Sequence, residues 1–336
     1  MQNIRPTTLL ISLLFLSACS TTVHKDFLQN FTKSQKTDGT FSRIVQSLVY
    51  NEKGKHLIVG HESGSIEIWD ATKEKSMYEI KAHKNRANEL AFSADGNAFF
   101  SNSMFETETK LWNVQTGELI CSIPNTRGPV SATSDKRFYI IANSENLRIF
   151  DYKNKTLLPE EYKFTYGVIE AIAYDIATDQ VAIGTQSDIQ ILKFSIIKGK
   201  PNLEKVSSVP GVGSIKGLQF SDNGHSLYSV SHLGSIDEWS TQPLKIKRSL
   251  PTALKHLYYA TFTPDTGLLA MSGIGKQGYP DSPIGVVEII SLPAGLSSVY
   301  KMTTNYPRRI EFLSPFSSVI SGESYSMEVY PIPQGK

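Results

Sequence analysis

Cysteine is nearly absent from this sequence. The 336 residues include only Cys19 and Cys121, which excludes a disulfide framework and a zinc site built from cysteines. A strong excess of one charge is also missing, because 34 basic and 32 acidic residues leave a formal net charge of +2. This balance excludes a protein that binds nucleic acid through overall charge alone.

Motifs of catalysis are lacking as well. The sequence has no G-x-S-x-G, no H-E-x-x-H and no Walker loop. Its seven histidines show no ligand spacing within one element. We therefore predict a protein that is not an enzyme, with no catalytic residue, no metal site and no cofactor. A metal bound by residues from separate parts of the chain stays an open alternative, because sequence spacing does not reveal such a site.

The N-terminus carries an apolar run that is too short to cross a bilayer. Residues 9–16 are apolar apart from Ser12, whereas a membrane-spanning helix needs about 20 apolar residues. The run follows Arg5 and precedes small residues, which is typical of a secretory signal peptide.

The next four residues, Leu16-Ser17-Ala18-Cys19, resemble the lipobox of bacterial lipoproteins. The resemblance implies that residues 1–18 are a signal peptide and that residues 19–25 form a tether. It also implies that the Cys19 thiol carries acyl chains such as palmitate. Ser20, in place of aspartate, implies an anchor in the outer membrane that faces the periplasm. The alternative is an ordinary secretory signal with an accidental cysteine, or an uncleaved anchor.

The rest of the chain repeats with a period near 40 residues. Each of the three tryptophans ends a short alternating segment, and polar turn signals separate such segments into hairpins. The copies end at Trp69, Trp112, Phe150, Leu192, Trp239, Ile289 and Tyr330, with spacings of 43, 38, 42, 47, 50 and 41 residues. This is the period of a four-stranded propeller blade.

With these segments the chain resembles the WD-repeat family, best over residues 45–81, 86–124 and 214–250. The resemblance predicts an all-β fold, a seven-bladed β-propeller over residues 26–336. The last copy is followed only by Pro331–Lys336, too short a segment for a fourth strand. The resemblance then implies that an N-terminal strand, best placed at Asp26–Thr32, closes the last blade.

The hydrogen-bond network typical of WD repeats is mostly missing from this sequence. Ser63 and Leu233 stand where the family has aspartate. Ala82-His83 is nearest to the family's Gly-His pair, and Glu106 is a substitute for the aspartate of the same blade. His83 is either linked to Trp112 or a simple loop residue. We expect apolar packing between sheets to hold the blades together.

The residues that precede the predicted inner strands are basic and aromatic. Arginine and tyrosine are enriched at protein interfaces, and the start of each inner strand lies on one rim of a propeller. The predicted partner-binding residues are Arg86, Arg127, His256, Tyr258, Arg308 and Arg309. The alternative is a solvated rim whose charges pair with Glu89 and Glu170. The long segment 273–283 is another candidate for binding.

Together these features predict a lipid-anchored scaffold for protein–protein interactions in the bacterial envelope. Its partners would be unidentified envelope proteins and, through the anchor, the membrane, with no nucleic acid. One alternative is an assembly factor for outer-membrane proteins, which would bind a β-strand client by edge pairing. The other is a propeller enzyme with a site in the central channel.

Overall fold

The chain folds into antiparallel sheets, as predicted for an all-β propeller. The described residues of the computed structural model contain no helix, and hence none that is long and apolar enough to cross a membrane. The strands form six four-stranded sheets, here blades 1 to 6 in chain order, and one three-stranded sheet, here the last sheet. The structure describes residues 44–73, 75–163, 167–221, 224–263, 267–277, 283–302, 309–314, 318–322 and 327–332.

In every sheet each strand pairs with the next strand along the chain, so that the sheet is a meander. The strands of blades 1 to 3 are β1 (Val45–Asn51), β2 (His56–His61), β3 (Ser65–Asp70), β4 (Lys75–Lys81), β5 (Glu89–Phe92), β6 (Ala98–Asn102), β7 (Glu108–Asn113), β8 (Leu119–Pro124), β9 (Val130–Ala132), β10 (Phe138–Asn143), β11 (Asn146–Asp151) and β12 (Thr156–Lys163).

The same meander continues through the second half of the chain. The strands of blades 4 to 6 and of the last sheet are β13 (Ile169–Asp175), β14 (Gln180–Thr185), β15 (Asp188–Ile197), β16 (Lys200–Pro210), β17 (Ile215–Phe220), β18 (Ser226–Ser231), β19 (Ile236–Thr241), β20 (Leu244–Leu250), β21 (Leu254–Thr263), β22 (Leu268–Gly275), β23 (Gly285–Ser291), β24 (Leu296–Lys301), β25 (Ile310–Ser314), β26 (Ser318–Gly322) and β27 (Met327–Pro331).

The predicted period matches the structure, because the seven marker residues lie in the third strands of the seven sheets. The prediction of seven complete blades is wrong for the described residues, which form six. The last sheet stops at its third strand, β27, and no described strand pairs with the outer edge of β27. The proposed closing strand, Asp26–Thr32, lies outside the described residues.

Apolar side chains between neighbouring sheets form the core. Between blades 3 and 4, for example, Ile140 and Ile149 share a buried cluster with Val181, Leu192 and Phe194. Equivalent clusters join the other neighbouring pairs from blade 1 to the last sheet. β1 contacts β25 and β26, so the sheets close into a ring around a central channel.

Strands of one sheet differ in burial according to their distance from the channel. Every residue of β2, β6, β14 and β18, the second strands of four blades, is buried. The fourth strand β4, by contrast, is exposed at most of its positions. Both faces of β6, β14 and β18 pack against neighbouring sheets, so these strands have buried apolar residues on each face.

Blade 2 contains an unbroken chain of hydrogen bonds from its tryptophan to a carboxylate. Trp112 Nε1 donates to Ser101 Oγ at 2.8 Å. Ser101 Oγ lies 2.8 Å from His83 Nε2, and His83 Nδ1 lies 2.9 Å from Glu106 Oε2. Of the two interpretations of His83, the link to Trp112 is correct, with Glu106 in the place of the family's aspartate.

Burial lowers the pKa of His83, although the Glu106 carboxylate works in the opposite direction. The ring is therefore neutral near pH 7. It donates to Glu106 through Nδ1 and accepts the Ser101 hydroxyl hydrogen at Nε2. The other tryptophans have different partners: Trp239 Nε1 donates to Ser229 Oγ at 2.9 Å, and Trp69 Nε1 donates to Glu67 Oε2 at 2.7 Å.

The two tryptophan-bound serines provide a matched pair of variants. Ser101→Ala leaves both Trp112 Nε1 and His83 Nε2 buried without a partner, whereas Ser229→Ala deprives only Trp239. We expect Ser101→Ala to lower the free energy of unfolding by about 3 kcal/mol and Ser229→Ala by about 1 kcal/mol, since each unpaired buried group costs about 1–3 kcal/mol. Urea unfolding of both variants measures the difference. Equal decreases in the free energy of unfolding of the two variants would contradict a hydrogen-bond chain that continues from Trp112 through Ser101 to His83.

Candidate partner-binding site at the channel mouth

The first strand of each sheet lies nearest the channel and is here called the inner strand. In four sheets the inner strand begins with a β-bulge. Their pairing registers shift after Val45, Ile169, Ile215 and Leu254. A bulge leaves one residue unpaired and turns its side chain away from the regular alternation. The extra residues are Gln46, Glu170, Lys216 and Lys255, so every one is polar.

Blade 6 carries a second bulge in the same strand. The register of β21 shifts again between Leu257 and Tyr259, and the extra residue is Tyr258. Its side chain is 38% exposed and lines the central cavity. A tyrosine predicted as a binding residue thus reaches the channel through a local irregularity of the strand.

The central channel holds a cavity of about 820 Å³, within the usual size range of ligand sites. Its walls are inner strands and the residues just before them, so its mouth lies where those strands begin. The main wall segments are 88–89 of blade 2, 127–129 of blade 3, 169–172 of blade 4, 216–219 of blade 5, 258–262 of blade 6, and Arg309.

Arg309 joins three sheets across this mouth. Its Nη2 lies 2.6 Å from Glu89 Oε1 and donates to the Asn88 carbonyl at 2.7 Å, both in blade 2. Its guanidinium lies 4.8 Å from the centre of the Tyr259 ring in blade 6. Burial works against the charge, but Glu89 and Tyr259 keep the pKa of Arg309 above its ordinary value. Arg309 is therefore engaged within the protein.

Two further basic groups of the rim are paired. Lys216 Nζ lies 2.8 Å from Glu170 Oε1 on the channel wall. Arg86 Nη2 lies 2.6 Å from Glu62 Oε1. The alternative of a rim with paired charges thus holds for Arg309 with Glu89 and for Arg86, whose partner is Glu62. Glu170 pairs with a lysine that the sequence analysis did not select.

Arg127 differs from these residues because its partners are neutral. Its Nε and Nη2 donate to Ser144 Oγ at 3.3 and 3.0 Å, and its Nη1 donates to the Met104 carbonyl at 3.3 Å. No carboxylate within the described part of the chain forms an ion pair with it. These bonds fix the guanidinium at the cavity while its positive charge stays unbalanced there.

Exposed apolar side chains surround this charge. Met104 is 54% exposed, Val168 43% and Tyr258 38%, and all three line the same cavity as Arg127. Phe105, beside Met104, is 60% exposed. An unbalanced arginine among exposed apolar groups is suited to an acidic or polar partner group beside an apolar side chain.

The structure brings together some of the predicted residues and not others. Arg127, Tyr258 and Arg309 line the cavity, whereas Arg86 and His256 do not. The His256 ring lies 5.9 Å from that of His232, and Arg308 lies outside the described residues.

The sequence analysis did not identify Lys216, Asn102 or Gln186 as lining residues. For Lys216 the sequence did contain a signal. An apolar residue followed by a polar one begins an inner strand at Val45-Gln46, Ile169-Glu170 and Ile215-Lys216. In the part of the chain that the structure describes, no three side chains of His, Cys, Asp or Glu come close enough to bind a metal ion.

Comparisons with known proteins point to a propeller family. Residues 30–95 match the family model described as the anaphase-promoting complex subunit 4 WD40 domain. The chain is 31% identical over 91 residues to eukaryotic translation initiation factor 3 subunit I of Culex quinquefasciatus. It is 28% identical over 90 residues to the subunit I of Bombyx mori. Each alignment covers 27% of this chain and 27% of the relative, so the chain matches about a quarter of the length of these relatives.

Proposed function

We propose that this chain is a WD-repeat β-propeller protein and that it is a non-enzymatic scaffold that binds a protein partner at the channel mouth. The observation that carries this proposal is Arg127, an arginine held in place by neutral acceptors and surrounded by exposed apolar side chains. Such a group provides directional donors and contact area at a small cost in conformational entropy, because it is already ordered.

The mouth is composed of residues from distant parts of the sequence. Met104 belongs to blade 2, Arg127 and Val168 precede the inner strands of blades 3 and 4, and Tyr258 lies in blade 6. A partner that contacts all of them needs the assembled ring. Binding should therefore depend on folding, and surface changes at the opposite end of the channel should leave it intact.

The first test is a pair of substitutions at the mouth. Arg127→Ala with Tyr258→Ala should leave the melting temperature nearly unchanged, because both side chains are exposed or only partly buried. It should reduce partner capture from cell-envelope extracts about 30-fold, since loss of a central arginine or tyrosine contact costs about 2 kcal/mol or more.

The matched control is Lys53→Ala with Leu296→Ala, a basic residue in the turn between β1 and β2 and an apolar residue at the start of β24, both at the opposite end of the blades. These changes should leave capture as in the parent. Arg86→Ala should have a smaller effect than Arg127→Ala, because Glu62 already balances Arg86. Loss of capture in the Lys53/Leu296 variant but not in the Arg127/Tyr258 variant would place the binding surface at the other end.

We further propose that the scaffold is a bacterial lipoprotein of the outer membrane with its propeller in the periplasm. The support is Leu16-Ser17-Ala18-Cys19 directly after the apolar run, a region outside the described residues. Several acyl chains anchor a protein firmly, because each buried CH₂ contributes about 0.8 kcal/mol.

The anchor is tested by metabolic labelling with a palmitate analogue. The parent should incorporate the label and fractionate with outer membranes, whereas Cys19→Ala should lose the label and either leave the membrane or stay unprocessed. A mature parent protein that starts at another residue and carries no lipid would exclude the lipoprotein.

The third part of the proposal is a complete seventh blade. Its support is that blades 1 to 6 each have a fourth strand, whereas β27 has no described partner on its outer side. An unpaired edge of this kind promotes association with other chains. We propose that residues 26–32 pair with β27.

Deletion of residues 24–34 tests this closure. The shortened protein should aggregate, with a lower melting temperature, because β27 becomes an open edge. Light scattering and thermal melting measure both effects. A soluble protein with the melting temperature of the parent would show that residues 24–34 do not close the ring.

The alternative that this protein is an assembly factor for outer-membrane proteins is compatible with the proposed scaffold. In that case its partner would be an unfolded outer-membrane protein. Recovery of unfolded β-barrel proteins in the capture experiment would favour it. A channel enzyme has less support, because both acidic side chains of the described cavity wall, Glu89 and Glu170, are held in ion pairs.

A further inference from the structure

The outer hairpin of blade 4 is longer than those of the other sheets. β15 and β16 have 10 and 11 residues, whereas the other third and fourth strands have five to eight. The inner neighbour of β15 is β14, which begins at Gln180 opposite Lys193. The pairs from Ser195 and Asn202 onward therefore extend past β14 as a two-stranded ribbon, here the blade 4 ribbon, residues 195–202.

The ribbon ends in a tight turn in open space. Lys198 and Gly199 have φ angles of 50° and 77°, which fits a two-residue hairpin turn with the twist of the flanking strands. A Cβ atom placed on Gly199 would meet nothing within 4 Å. The turn at Lys198 and Gly199 is thus exposed. Closer to the sheet, the Tyr162 hydroxyl of blade 3 donates to the Pro201 carbonyl at 3.1 Å and Pro201 is buried, so blade 3 supports one side of the ribbon.

Two consecutive isoleucines occupy this projecting tip. Ile196 is 48% exposed and Ile197 54% exposed, and successive residues of a strand point to opposite faces. The ribbon therefore presents apolar surface on both sides. The turn Asp175–Asp179 lies at its base, because Phe194 N donates to the Asp179 carbonyl at 2.9 Å. That turn exposes another isoleucine, Ile176, to 72%.

The charges around the tip are mostly positive. Residues 193–205 contain four lysines and one glutamate, all exposed, although the whole chain has a net charge of only +2. Lys193 donates to the Thr178 carbonyl. Within the described residues Lys198, Lys200 and Lys205 form no ion pair, so the tip combines exposed apolar groups with unbalanced positive charge.

We propose that the blade 4 ribbon inserts into the headgroup region of an anionic lipid surface. The tip is convex and narrow, with apolar side chains at its end and lysines beside them. This combination fits a bilayer interface, where apolar groups enter the headgroup and acyl boundary and lysines approach anionic lipids. The inference does not depend on the lipid anchor or on the partner site at the channel mouth.

The direct test places a fluorescent probe on the ribbon of the full chain. Ile197→Cys, in a Cys19→Ser background, is labelled with an environment-sensitive nitrobenzoxadiazole group. Burial raises the pKa of the remaining Cys121 thiol, so that it reacts slowly, and the Cys19→Ser protein alone gives the background. Leu296→Cys, on the corresponding hairpin of blade 6 and 74% exposed, is the matched control.

Vesicles of phosphatidylglycerol and phosphatidylcholine should shift the emission of the probe at 197 to the blue, whereas vesicles of phosphatidylcholine alone should shift it much less. The probe at 296 should stay in an aqueous environment with both. The proposal is overturned if the probe at 197 stays aqueous with anionic vesicles, or if the probes at 197 and 296 shift equally. The proposal is also overturned if the emission of the probe at 197 shifts with proteins of the cell-envelope extract but not with vesicles.

The lysines are tested in the same titration. Lys198→Gln with Lys200→Gln should weaken the response of the probe at 197 to anionic vesicles by about 25-fold, since each lysine near such a surface is worth about fivefold in affinity. Lys53→Gln with Lys245→Gln, both exposed on other blades, should leave it unchanged. Equal affinities for the two double variants would contradict an electrostatic contribution from the ribbon.

Discussion

Apolar contact between neighbouring sheets is the interaction on which the rest of this structure depends. Each sheet has two faces that need cover, and the next sheet around the ring provides it. For this reason the second strands β2, β6, β14 and β18 are buried throughout, whereas outer strands such as β4 lie mostly in solvent. The hydrogen-bond chain of Trp112, Ser101, His83 and Glu106 supports one blade of this ring.

The ring also explains the chemistry of the channel mouth. Closure brings the starts of the inner strands together, and bulges turn polar side chains away from the regular alternation there. Most of these charges are balanced locally, by Lys216 with Glu170 and by Arg309 with Glu89. Arg127 is the exception, because its bonds go to a hydroxyl and a carbonyl. Binding at the mouth would thus depend on a residue that folding orders but does not neutralise.

The sequence was sufficient to predict the repeat but not its closure or its pairings. Trp69 and Phe150 mark third strands because each repeat places a large apolar residue between two sheets. The ion pair of Arg309 with Glu89 joins residues 220 positions apart, and no local pattern reports such a contact. The bulge of Tyr258 depends on the pairing register of β21 with β22, which the repeat alone does not define.

The central claim is that the partner contacts the end of the channel where the inner strands begin. It is tested most directly by photo-crosslinking in the cells that make the protein, with a benzophenone amino acid at Phe105 or at Leu296. Both side chains are highly exposed, and they lie at opposite ends of the blades. The account predicts a discrete crosslinked protein from position 105 and none from position 296. Crosslinking from position 296 alone would contradict it.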